Sequence, residues 1–148
     1  MAQSLSKVYI HIVFSTKHHH PLISPDIRKA LQAYTTGIIA KMGSYAEEIY
    51  ANQDHVHILI TLPRTMTIAD IVSKIKTSSS KWLKTKGINN FGWQDGYGVF
   101  SVSASKLRVV GEYIQNQAKH HEKVSLKDEL RVFFREYDIE FDERYVWD

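Results

Sequence analysis

Hydrophobic and polar residues alternate along this chain with two distinct periods. Over Lys7–Ser15, Val8, Ile10, Ile12 and Phe14 fall on one side and Tyr9, His11 and Val13 on the other, which predicts a strand. His55–Leu62 alternates in the same way, with Val56, Ile58, Ile60 and Leu62 opposite His55, His57, Leu59 and Thr61. Ala46–Ala51 reads as a weaker strand, broken by Glu47 and Glu48, and a short fourth strand is expected around Tyr97–Val102 after a glycine-punctuated loop. Helical spacing follows Ser24-Pro25, an N-cap with proline at the first helical position, where Ile27, Leu31, Tyr34 and Ile38 form a stripe that Gly43 should end. Thr67-x-x-Asp70 opens a second helix carrying Ile68, Ile71, Val72, Ile75, Trp82 and Leu83, ended by Gly87. A third helix is expected from about Ser105 to Glu122, with Leu107, Val110, Ile114 and Ala118 as its seam. A fourth runs from Ser125-x-x-Asp128 to about Tyr137.

The order β-α-β-β-α-β-α-α predicts an α+β fold. Its natural form is a ferredoxin-like (split βαβ) antiparallel sheet with helices on one face, leaving the other face for function. The 148 residues suit a single domain over 1–148, with an acidic, aromatic tail at about 138–148. The absence of cysteine removes disulfide scaffolds, thiol catalysis and Cys-ligated metal centres. No apolar run approaches the ~18 residues of a membrane span, and the first residues lack a basic segment followed by an apolar one. A soluble cytoplasmic protein with no membrane partner is expected. Net charge is only +3, but residues 61–125 hold ten basic and four acidic side chains, and Arg64–Lys86 holds six basic residues against Asp70. Such an excess suits a polyanion, although a solvated helix face is a common alternative.

His55 and His57 share one strand face, so both imidazoles can reach one cation, and a further ligand must come from elsewhere. Tyr113 and Gln117 stand four apart on the third helix and therefore lie one above the other. A phenol beside an amide oxygen offers a nucleophile and a third ligand; an amphipathic helix anchored by a tyrosine is the bland alternative. Gly111 costs ~1 kcal/mol mid-helix against alanine, which suits close approach or movement of that helix.

These residues resemble the HUH single-strand transposases of bacterial insertion sequences, the single-tyrosine TnpA type of the insertion-sequence 200/605 group. The resemblance rests on His55-Val56-His57 and on Tyr113-x-x-x-Gln117. Residues 9–17 (YIHIVFSTK), 92–98 (GWQDGYG) and 113–121 (YIQNQAKHH) add to it. His18-His19-His20 departs from it, standing where a tyrosine or arginine is expected. The resemblance implies a DNA transposase that cleaves single-stranded DNA and transfers strands through a 5′-phosphotyrosine on Tyr113. It implies a divalent metal, Mg²⁺ or Mn²⁺, held by His55, His57 and Gln117. It further implies substrates with hairpin ends, and a homodimer in which the tyrosine helix of one chain completes the His pair of the other.

Around this core, Lys74, Lys76, Lys81, Lys84 and Lys86 are candidates for phosphate contacts, and Trp93 and Tyr97 for base stacking. Trp82 is expected in the core. His11, Asp54 and His120 are candidates for the shell around the site: His11 as a structural histidine beside it, Asp54 as an imidazole acceptor or a plain turn residue, and His120, with His121, as a phosphate contact. The same pattern fits a repeat-associated tyrosine transposase or a relaxase-like nickase. A non-catalytic single-stranded nucleic-acid-binding module would leave the His pair and Tyr113 unexplained.

Overall fold

The computed structural model describes residues 2–148. Strand β1 (Tyr9–Ser15) lies antiparallel between β3 (His55–Thr61) and β4 (Gly98–Val102), and β2 (Ala46–Ala51) pairs outside β3, giving the order β2-β3-β1-β4. This is the split βαβ arrangement that the period-two stretches predict: α1 (Pro25–Lys41) crosses from β1 to β2, and α2 (Ile68–Thr85) from β3 to β4. Thr67 accepts a hydrogen bond from the Asp70 amide at the start of α2. Gly43 and Gly87, at φ +79° and +94°, end the two crossover helices in a conformation that side chains with a Cβ resist.

Ile10, Ile12, Phe14, Val56, Ile58 and Ile60 meet Leu31, Ile39, Ile71, Val72, Ile75 and Leu83 in the main core, so α1 and α2 occupy one face of the sheet. Tyr34 leaves the predicted stripe, because the inward row of α1 is Leu31, Thr35 and Ile39 at i, i+4 and i+8. It stacks instead on half-buried Trp82 at 5.0 Å between ring centroids.

The opposite face is not left open. The predicted third helix is interrupted at Asn116 into α3 (Leu107–Gln115) and a single turn, α4 (Gln117–His120), and α5 is Leu126–Glu136. Ile114 of α3 packs on Leu59 and Val102, while Leu126, Leu130 and Phe134 of α5 pack on Val13 and Phe100. Ala118 lies beyond the break and is exposed, so the seam stops at Ile114. A Cβ at Gly111 would meet nothing within 4 Å, so no close approach requires that glycine. No helix among the described residues is long and apolar enough to cross a membrane.

Candidate active site

Burial of Val56 and Ile58 under α1 and α2 turns His55 and His57 to the roofed face. His11, opposite Leu59 in the β1–β3 register, is the diagonal neighbour of His57, and its Nε2 lies 2.8 Å from His57 Nδ1. His55 Nδ1 donates to Asp54 Oδ1 at 2.7 Å, which leaves its Nε2 lone pair facing inward, where it accepts from Asn52 Nδ2 at 3.0 Å. Both histidines are thus held from behind and present Nε2 to the same space, as metal-binding imidazoles require.

The centre of that space is taken by Glu129 of α5, which is 3% exposed. Its Oε1 lies 3.0 Å from His57 Nε2, 3.3 Å from His121 Nε2 and 3.7 Å from His55 Nε2. Its Oε2 accepts from the Tyr113 hydroxyl and from Gln117 Nε2, and lies 3.1 Å from His120 Nε2. Donor atoms of His55, His57, His121 and Glu129 all fall within 4.8 Å of one another, so three imidazoles and a carboxylate fit a divalent cation. Gln117 is fully buried beside them, with Oε1 turned to Asn52 Nδ2 at 3.3 Å.

Burial lowers the pKa of His57 to about 4, although the hydrogen bond and charge of Glu129 work against it. Burial, followed by the His57 charge, also holds His11 well below its ordinary value. Burial would raise the Glu129 carboxyl, but hydrogen bonds from His121, His57 and Tyr113 hold it far below the usual range. Burial and the adjoining carboxylate push the Tyr113 phenol well above 10, so it is a protonated donor in this arrangement. For Asp54, burial is outweighed by the His55 hydrogen bond and nearby imidazoles, and its carboxyl is lowered.

The family described as "Transposase IS200 like" matches residues 4–117, most of the chain. The chain belongs to the IS200-like transposase family. Among curated relatives, this transposase is 24% identical to the ISDra2 transposase TnpA of Deinococcus radiodurans, over 72% of its own length and 81% of the relative's. Its fold resembles a crystal structure of a Deinococcus radiodurans R1 protein assigned as a transposase, with a TM-score of 0.60 and 23% identity over 79% of this chain and 98% of that one. It also resembles a REP-associated tyrosine transposase bound to a REP hairpin, with a TM-score of 0.61 and 15% identity over 84% and 74% of the two chains.

The structure brings His55, His57, Tyr113, Gln117, His11, Asp54 and His120 of the transposase into one cluster. The tyrosine helix reaches the histidines of its own chain: the rings of Tyr113 and His57 lie 5.9 Å apart. The residues expected to meet DNA lie elsewhere. Lys74, Lys81 and Lys84 of α2, and Lys86 just past its end, are exposed across the sheet from the histidines. Lys76 is instead a staple, donating to the carbonyls of Gln94, Asp95 and Gly96 at 2.8, 3.2 and 2.7 Å. Trp93 is a core residue rather than a stacking platform: it packs edge-on against Phe14 and Phe91, and its Nε1 donates to Ser79 Oγ. Tyr97 is exposed, with Lys76 Nζ 5.7 Å from its ring centre.

Sequence reasoning missed Glu129 and Asn52, and did not see His121 as a donor. One signal pointed to Glu129. It shares the buried row of α5 with Leu126, Leu130 and Phe134, and an acid on an apolar stripe calls for a buried partner.

Proposed function

We propose that this transposase cuts and rejoins single-stranded DNA with hairpin ends, using Tyr113 as nucleophile and a divalent cation at the His55–His57 pair. The observation that carries the reading is the shared carboxylate: Tyr113 and His57 both touch Glu129, which places a phenolic oxygen beside the imidazole donors. A tyrosine nucleophile conserves the bond it breaks by storing it as a phosphate ester for later rejoining. Tyr113 Oη attacks the scissile phosphorus, the P–O3′ bond breaks, and a 5′-phosphotyrosine and a free 3′-hydroxyl result. Attack on that ester by the 3′-hydroxyl of another strand reverses the chemistry and frees the tyrosine.

His55 and His57 would hold the cation, backed by Asp54 and His11, and Gln117 adjoins them. When bound, a divalent ion polarises the phosphate and offsets charge developing on its oxygens. With three nitrogen donors and one oxygen at hand, Mn²⁺ suits the site better than Mg²⁺. The phenolic proton has Glu129 Oε2 and His120 Nε2 as near acceptors, His120 at 3.5 Å. The exposed α2 lysines and Tyr97 are the surface proposed for DNA, and a fold neighbour bound to a hairpin supports that kind of ligand. Assembly of the site within one chain is part of this reading, in place of sharing between two copies.

The test is a 3′-labelled single strand carrying a hairpin, incubated with Mn²⁺ and resolved under denaturing conditions. The wild type should form a denaturant-resistant adduct; Tyr113→Phe should form none while still binding the hairpin. Cutting by Tyr113→Phe, or an undiminished adduct after chelation, would overturn the proposal.

A further inference from the structure

We infer that Glu129 completes the cation site through Oε1 and anchors the nucleophile Tyr113 through Oε2. The inference deepens the metal-dependent reading above and rests on it.

Three observations lead to it. Glu129 Oε1 lies within 3.0–3.7 Å of three imidazole Nε2 atoms, and its Oε2 faces the phenol instead. One carboxylate therefore stands between the metal donors and the nucleophile. Second, Gln117 turns its oxygen to Asn52 and its Nε2 to Glu129, so in this arrangement the oxygen reaching the imidazoles belongs to Glu129. Third, among the described residues the ion-pair partners of this buried carboxylate are histidines, with no lysine or arginine. A buried carboxylate facing imidazole nitrogens is costly to retain as a packing element, and it is an ordinary metal ligand.

Glu129 and His121 lie beyond residue 117, where the family match ends. The ligand set thus includes a helix that the matched region does not supply. An anionic ligand should strengthen cation binding over a neutral amide, and a bridge to the phenol should tie nucleophile position to the same residue.

The experiment titrates the DNA-free full chain with Mn²⁺, following heat and the loss of the free-ion electron paramagnetic resonance signal. The variants are Glu129→Gln, with folding checked by circular dichroism, and His57→Ala. The wild type should bind one Mn²⁺ per chain and His57→Ala should lose it. Glu129→Gln should weaken binding by about tenfold or more, a loss within reach of a change at a metal site. At saturating Mn²⁺, Glu129→Gln should also form the DNA adduct at least about tenfold more slowly, because the phenol has lost its anionic acceptor. Wild-type affinity in Glu129→Gln, with binding lost in His57→Ala, overturns the role of Glu129 and leaves the His-pair site standing. No Mn²⁺ binding by the wild type overturns both. Should Glu129→Gln fail to fold, anomalous diffraction from Mn²⁺-soaked wild-type crystals decides the matter: density within coordination distance of Glu129 supports the inference, and density away from it overturns it.

Discussion

Lys76 shows how far one side chain can depart from the role of its neighbours. It belongs by sequence to the α2 lysines, yet its ammonium is half-buried above the Phe14 ring and satisfies three carbonyls of the 94–96 loop. Lys76→Met leaves those carbonyls without their donor and should cost ~1–3 kcal/mol in urea unfolding. The salt dependence of DNA binding should stay unchanged, and a weaker salt slope at wild-type stability would count against the staple. The buried histidines set a pH dependence. His57, at about 4, and His11 stay neutral in the folded protein at pH values where the unfolded chain takes protons. Metal-free protein should therefore lose stability as pH falls from about 6.5 towards 4. For His121, the pull of burial is outweighed by Glu129, and its raised value acts in the opposite sense. A melting temperature that is flat or rising on acidification through that window would contradict the neutral assignment.

At the scale of elements, what could be read in advance was local. The caps at Thr67 and Ser125 and the terminal glycines of α1 and α2 act within a few residues, and the structure contains each of them. The alternation of β1 and β3 placed His55 and His57 together because period two leaves no other option. Long-range facts were less accessible. The apolar stripe of α5 shows that the helix is buried on one side but not which sheet face receives it. Glu129 meets His57 from 72 residues away, so no spacing announces the pair. Trp93 stands beside glycines in sequence, which suits a stacking platform, whereas its partners Phe14 and Ser79 come from a separate strand and helix. Because α5 is seated by few large side chains, Leu130→Ala should cost ~2–5 kcal/mol. It should raise amide exchange in α5 before the β1–β3 ladder; equal protection loss in both would mean the helix is no separate unit.

Across the whole molecule, the sheet divides the proposed DNA surface from the chemistry. Lys74, Lys81, Lys84 and Lys86 lie on the crossover-helix layer, and Tyr113 lies under the roof on the other side. Replacing these four lysines by alanine should weaken single-strand binding and lower its salt slope by ~0.7 for every phosphate no longer neutralised. Mn²⁺ affinity should not change, because no ligand candidate lies in that layer. A slope equal to that of the wild type would move the DNA surface elsewhere.

Tyr113, Gln117, His120 and His121 stand at i, i+4, i+7 and i+8, and across the break at Asn116 all four still attend the same carboxylate. The stretch from Tyr113 to His121 thus hangs on one acid contributed by another helix. Loss of that acid would release the phenol, the amide and both imidazoles together.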